Sequence, residues 1–368
     1  MIYLDNGATS YPKPERVIRA VTRAMYNCAS AGRGGYALAE NAAKVLYRCR
    51  EAAGKLFCCK PEQVVLTNSC THGLNIAIRS LVEPGDKVVI SGFEHNAVVR
   101  PLHALNAQIA VAGRKLFDWE DTIKDFEAKL DGAKAAVFTH VSNVFGYILP
   151  VEAMAQLCRS RGIPFVIDAA QSAGMLDVDM EGLGADFIAM PGHKGLLGPQ
   201  GTGLLLCRAS AQPILYGGTG SASIPRTMPE ELPERLEAGT MNVPGIAGLT
   251  AGISYVNRIG TEKCLTQAHS QMSRCATVLA DLGMDVYRGA HQAATVSFRA
   301  GLDCEEVARI LAEQGIAVRA GFHCAPLAHE SAGTLETGTV RVSFGHDTTF
   351  SQTERFLRAA TKFPPYMS

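Results

Sequence analysis

FVIDAAQSAG, residues 165–174, decides the architecture. Its first three residues are apolar and β-prone, and the fourth is an aspartate. An apolar run that stops abruptly at a charge predicts a strand covered on both faces, with Asp168 at its carboxyl end. In open α/β sheets, ligands bind outside those ends. An aspartate there must be paired or hydrogen-bonded to be tolerated. The same residue also reads as an ordinary helix N-cap, and the stretch alone does not separate the two.

Working outward, similar runs recur: QVVLTN (63–68), KVVIS (87–91), AAVFTHV (135–141), PFVIDAA (164–170), DFIAM (186–190) and TGLLLC (202–207). Helical patterns lie between some of them. KPERVIRAVTRAM (13–25) carries apolar residues at Val17, Ile18, Val21 and Met25, and VEAMAQLCRSRG (151–162) closes on Gly162 and Pro164. This predicts an α/β fold with a mostly parallel sheet over residues 13–247. Beyond GTMNVPGIAGL (239–249) the pattern changes. A helical stretch at 250–282 leads to strand ATVSFRA (294–300), helix CEEVARILAEQG (304–315), strands IAVRAG (316–321) and TVRVSFG (339–345), and helix SQTERFLRAATK (351–362). A small α+β domain made of 1–12 and 248–368 is expected.

The chain has 368 residues, 47% apolar and 19% charged, with 35 basic and 35 acidic side chains. Such a chain can bury a large core, and it offers no basic stripe for nucleic acid. No apolar run reaches the roughly 18 residues of a membrane span, and Asp5 sits where a signal peptide needs positive charge. A soluble, cytoplasmic protein is expected. The eleven cysteines show no C-x-x-C spacing and HExxH is absent, so neither a disulfide framework nor a metal site is expected.

Other segments carry possible chemistry. PGHKGLLGPQGTG (191–203) sets Lys194 in a glycine-rich loop. Burial there lowers a lysine's pKa and suits it to a Schiff base, whereas in isolation it reads as a solvated lysine. The Walker order G-x-x-x-x-G-K-[ST] is missing. LTNSCTHGLNIAI (66–78) places Ser69, Cys70 and Thr71 before a helical pattern from Leu74, an anion site or an ordinary cap. His95 follows strand KVVIS and is either structural or stacked on a flat ring. Arg341 lies in TVRVSFG between two valines and needs either a substrate carboxylate or an internal salt bridge. GGTGSAS (217–223) reads as a flexible loop. In VRAGFHCAPLAH (318–329), Cys324 is either a small apolar filler or a nucleophile. A phosphate turn, a ring stacker, an aspartate and a lysine thus occur in order at successive strand ends. Pyridoxal phosphate, with its phosphate, pyridine ring and aldehyde, uses all of them.

The pieces YLDNGATSYPKP, EHN, HVSNVFG, DAAQSAG, GHKGLLGPQG, EAGTMNVPGIAGL and RAGFHCAPL together resemble the class V aminotransferase superfamily of fold-type I pyridoxal-phosphate enzymes. Within it, the chain is similar to cysteine desulfurases and selenocysteine lyases, in the branch with a compact cysteine loop. The resemblance implies that Lys194 holds the cofactor as a Schiff base, Asp168 pairs with the pyridine nitrogen, Gln171 binds the ring hydroxyl and His95 stacks on the ring. Thr71, the Cys70 amide and His193 would hold the phosphate. Thr240 would reach the partner subunit's phosphate in a homodimer. Asn143 would serve both cofactor and substrate. Arg341, with Arg319 as helper, would bind the substrate carboxylate beside the Gly7–Ala8 backbone. Cys324, its thiolate favoured by His323 or by the cofactor, would take sulfur from L-cysteine, leaving L-alanine, and pass it from a persulfide to an acceptor. Selenocysteine as substrate, or a transaminase or lyase with Cys324 as a spectator, are the alternatives. Pro191, where relatives carry a serine or threonine, and Gly7 and Met241 depart from the family pattern.

Overall fold

A computed structural model describes residues 1–32, 34–220 and 224–367. Residues 221–223 of the GGTGSAS loop therefore lie outside the described residues. The strands are β1 (Ile2–Tyr3), β2 (Val64–Thr67), β3 (Lys87–Ser91), β4 (Gln108–Ala112), β5 (Ala135–Thr139), β6 (Phe165–Asp168), β7 (Phe187–Pro191), β8 (Gly203–Cys207), β9 (Asp285–Tyr287), β10 (Thr295–Arg299), β11 (Ile316–Ala317), β12 (Arg319–Gly321) and β13 (Thr339–Ser343). Seven of them form one sheet in the order β2-β8-β7-β6-β5-β3-β4. Only β8 runs antiparallel to its neighbours. This is the expected α/β fold with a mostly parallel sheet.

Both faces of that sheet are covered, which is why its strands read as continuous apolar runs. Alternate residues feed two separate cores. Ala136, Phe138, Ile167, Ile188 and Leu204 point to one. Val137, Val166, Phe187, Ala189 and Leu205 point to the other, against α3 (Cys70–Leu81) and α4 (Asn96–Ala104). α1 (Glu15–Asn27) and α2 (Ala37–Phe57) lie N-terminal to this run. The second sheet, β12-β13-β10-β9, is antiparallel and has its own core around Val296, Phe298, Val340 and Val342. β1 pairs with β11, so the first residues of the chain join the C-terminal region.

Three local expectations are corrected. The helical stretch at 250–282 is two helices, Val243–Ile259 and Thr261–Asp281, broken at Gly260 with φ of 91°. IAVRAG divides into β11 and β12, which pair with different partners. α3 begins at Cys70, four residues before Leu74, because Ser69 caps it by accepting the His72 amide at 3.2 Å. The segment after β12 is only a short turn before the helix Pro326–Ser331. Among the described residues, no helix is long and apolar enough to cross a membrane.

Candidate active site

The carboxyl ends of β3, β5, β6 and β7 converge on one region, and each delivers a polar group. β6 ends on Asp168, which is 2% exposed. Its Oδ1 accepts the Ala170 amide at 2.9 Å and the Cys70 thiol at 3.3 Å. Burial and that carboxylate keep Cys70 protonated, with its pKa well above the ordinary thiol value. Past β7 comes Lys194. Burial lowers its pKa, while the charges of Asp168 and Cys70 oppose the shift. Its Nζ makes no ion pair or hydrogen bond among the described residues.

The carbonyl before Lys194 is held by four donors. His193 O accepts from the Ser10 amide (3.0 Å), Thr9 Oγ1 (3.1 Å), Ser10 Oγ (3.1 Å) and Lys13 Nζ (2.7 Å). Burial, then the charges of Lys194 and Lys13, push the His193 imidazole down to about 4, so it is neutral at physiological pH. Its Nδ1 is buried without a partner. His95 caps α4, and its Nδ1 accepts the Ala97 amide at 3.0 Å. Burial lowers its pKa as well, leaving a flat neutral ring with its proton on Nε2.

Cys324 is exposed and occupies a tight turn. The Ala325 amide donates to Phe322 O at 2.9 Å, and the two central residues, His323 and Cys324, have φ of 51° and 57°. Two successive non-glycine residues in the left-handed region are costly, on the order of 1–2 kcal/mol each, so surrounding contacts must impose the turn. They do. The Asn96 amide donates to Cys324 O at 2.8 Å and Asn143 Nδ2 donates to His323 O at 2.8 Å. Cys324, His95 and Thr71 line one groove of about 370 Å³ between α3 and α4. Gly7, Gln171 and Lys194 line a separate space of about 60 Å³.

Residues 2–356 match the family described as Aminotransferase class-V. The chain belongs to the aminotransferase class-V family. A probable cysteine desulfurase of Methanothermobacter thermautotrophicus is 34% identical over 359 residues, covering 93% of this chain and 89% of that protein. The apo structure of a cysteine desulfurase from Thermococcus onnurineus NA1 superposes with TM-score 0.90 and 33% identity, covering 98% and 94% of the two chains. The Escherichia coli cysteine desulfurase CsdA, in an S-sulfonic acid form, gives 0.85 and 26%, covering 97% and 93%.

Class-V enzymes depend on pyridoxal phosphate, and the residues here fit it. The amides of Cys70 and Thr71 open α3 with no partner among the described residues, an anion cradle, and His193 Nδ1 is a further buried polar atom without a partner. Asp168 suits a protonated ring nitrogen and Lys194 an aldehyde. Pro191 is buried in β7 and supplies no hydroxyl. Gln171 Nε2 already donates to Gly7 O at 3.0 Å, which leaves its carbonyl for a ligand. Thr240 is exposed and lines a different cavity of about 880 Å³, beside Met241 and the Arg50–Glu237 pair.

Arg341 meets the internal salt bridge that its sequence context left open. It is 2% exposed, with Nη2 2.7 Å from Asp5 Oδ1 and Nη1 donating to Asn143 O at 2.9 Å. Its Nε is buried without a partner, and burial lowers its pKa against the pull of Asp5. Arg319 is its cross-strand neighbour and is exposed. Ala8 follows Gly7 in the segment whose Gly7 amide donates to Ser343 Oγ at 2.7 Å.

His323, one of the two groups expected to favour the Cys324 thiolate, is turned inward. It is buried, its Nε2 sits 3.2 Å from both Thr339 O and Oγ1, and burial pushes its pKa down to about 2. The sequence reading also missed Asp5, Lys13 and Glu94. Glu94 lies in the EHN motif and is fully buried. Of its partners Ser91 is close in sequence but Thr139 is 45 positions away, and only the YLDNGATSYPKP piece hinted that the N-terminus mattered.

Proposed function

We propose that this class-V family member is a pyridoxal-phosphate-dependent cysteine desulfurase that converts L-cysteine to L-alanine and carries the sulfur as a persulfide on Cys324. The observation that carries this reading is the pinned, exposed Cys324 turn in the same groove as His95 and Thr71. A buried filler would not be held outward at a conformational cost. Bound at Lys194, pyridoxal phosphate supplies an electron sink for the amino acid joined to it.

The chain's own groups do the rest. Asp168 holds a proton on the ring nitrogen, and the buried Cys70 thiol and Ala170 amide fix that carboxylate. Arg341 Nε and the exposed Arg319 receive the substrate carboxylate. Lys194 Nζ, poised by burial to exist as a free amine, takes the Cα proton. Cys324 Sγ, as thiolate, attacks the substrate sulfur. A sulfur–sulfur bond forms, the Cβ–sulfur bond breaks, and its electron pair takes a proton at Cβ to give alanine. The exposed Thr240 is assigned to the phosphate of a second copy, so the working unit is a homodimer.

The test quantifies alanine and sulfide from L-cysteine, and alanine and selenide from L-selenocysteine, in wild type and Cys324→Ala with a reducing thiol present. Wild type should yield alanine and sulfide, and Cys324→Ala should lose the cysteine reaction while keeping the cofactor's absorbance. Turnover of selenocysteine alone would make the chain a selenocysteine lyase. Equal activity in the variant would make Cys324 a spectator and the chain a transaminase or other lyase.

A further inference from the structure

The groove that exposes Cys324 extends well past the cofactor residues. Its inner end holds Thr71, His95 and Cys324, and its outer part holds Asn75, Arg79 and Arg100. Arg79 lies eight residues after Thr71 on α3, about 12 Å along the helix axis. Arg100 lies five residues after His95, about 7.5 Å along α4. Both arginines are exposed, and neither has an ion pair or hydrogen bond among the described residues. No carboxylate lines the groove. Burial chiefly depresses the His95 pKa, and the Arg100 charge adds to that effect, so its field reaches the inner end.

Two unpaired guanidiniums in an acid-free groove attract anions and concentrate them at its mouth. A helix C-terminus accounts for one of them, since Arg79 lies in the last turn of α3. It does not account for Arg100, which sits in mid-helix and faces the same groove. The whole groove, cofactor end included, measures about 370 Å³, at the small end of ligand pockets, which span about 300–1,000 Å³. A protein partner would need a docking surface of roughly 800 Å² instead.

We propose that Arg79 and Arg100 recruit the sulfur acceptor, a small thiol carrying carboxylates, and direct its sulfur to Cys324. This rests on the persulfide reading above. The acceptor thiolate attacks the outer sulfur of the Cys324 persulfide. A new sulfur–sulfur bond forms on the acceptor, the bond to Cys324 Sγ breaks, and Cys324 leaves as thiolate, so no outside oxidant or reductant enters.

The experiment compares holoenzyme wild type, Arg79→Gln, Arg100→Gln and the double variant. The acceptors are mercaptosuccinate, with two carboxylates, and 2-mercaptoethanol, with none. Two readouts come before transfer: cofactor absorbance, and alanine with one added sulfur on Cys324 in a single turnover without acceptor. Both should match wild type in every variant. kcat/KM for mercaptosuccinate should fall about 2–5-fold per arginine and about 5–20-fold in the double variant, the range for exposed ion pairs. It should also fall steeply with salt in wild type. 2-Mercaptoethanol should be unmoved in both respects. Equal effects on the two thiols, or none on mercaptosuccinate, would overturn the assignment. So would lost cofactor absorbance, which would place the arginines in cofactor binding. So would a dependence seen only with an acidic protein acceptor. Failure of wild type to place sulfur on Cys324 would instead refute the desulfurase reading itself.

Discussion

Glu94 offers a direct test of how the site is built. Its carboxyl lies between the ends of two adjacent parallel strands. Oε1 accepts the Thr139 amide from β5 at 2.7 Å and also the Ser91 hydroxyl and amide from β3. Oε2 is buried with no partner. Burial is the main cause that pushes this acid up to about 8, helped by the charge of Asp168 and opposed by the Ser91 and Thr139 hydrogen bonds. A neutral acid thus ties the end of β3, which leads to His95, to the end of β5, whose Thr139 is the cross-strand neighbour of Asp168. The sign of the linkage follows. Between about pH 4.5 and pH 8 the unfolded chain has released this proton while the native chain keeps it. The unfolded state binds fewer protons, so stability falls as pH rises through that window. Glutamine has the same shape, keeps the acceptor and cannot ionise. From pH 5 to pH 8.5, at 1.36 kcal/mol per unit, the stability of Glu94→Gln relative to wild type should rise by about 4 kcal/mol. Urea unfolding of both apoproteins at several pH values measures that gap directly. A gap that stays constant with pH, or shrinks as pH rises, refutes the buried-acid reasoning.

Two further predictions concern the N-terminal segment. A Cβ on Gly7 would stand 3.1 Å from Arg341 Cζ and 3.2 Å from Ser343 Oγ, so Gly7→Ala should displace the guanidinium. KM for L-cysteine should rise roughly 3–10-fold with a smaller change in kcat, read by steady-state alanine formation. Lys13→Met removes the charged donor from His193 O and Ser10 Oγ while three other donors stay on that carbonyl. It should cost about 1–3 kcal/mol in thermal unfolding, the range for a hydrogen bond to a charged group. An unchanged melting curve would show that the remaining donors suffice.

The fold was legible where burial is one-dimensional in the sequence. A strand covered on both faces writes itself as an apolar run, and β3, β5, β6 and β7 were read that way within a residue or two. β4, one of the two edge strands, escaped because its QIAVA sequence is mostly half-exposed, unlike the fully buried β2 at the other edge. In the site, Asp168, Lys194 and Cys324 stood out because each breaks a local pattern. Asp5 did not, since its partner Arg341 is 336 positions away. Glu94 looked like any surface glutamate until the strands enclosed it. The expectation for His323 has the same origin. Adjacency to Cys324 in sequence suggested adjacency in chemistry, but left-handed backbone at both residues turns the imidazole to the interior and leaves Cys324 exposed. Short-range sequence therefore singled out the candidate reactive residues. The long-range contacts that hold them at fixed separations were not available to it.

Many of those contacts are made by one segment. From Asp5 to Lys13 the chain runs as a strap between the two sheets. At one end, Asp5 pairs with Arg341 and the Gly7 amide holds Ser343, both on β13. In the middle, Gly7 O receives Gln171 from the loop after β6. At the other end, Thr9, Ser10 and Lys13 converge on the carbonyl that precedes Lys194. The group proposed to hold the substrate carboxylate and the amine proposed to take its α-proton lie on different sheets. Their separation is set through this strap together with the Arg341–Asn143 hydrogen bond. Asp5 also occupies one face of the Arg341 fork, which fixes the guanidinium before any ligand arrives and leaves Nε as its buried free donor. A carboxylate arriving at a half-neutralised arginine is held less tightly than at a bare one, and the exposed Arg319 beside it supplies the missing charge. A site arranged in this way trades ground-state affinity for a fixed geometry, which favours the chemical step over tight binding of the amino acid.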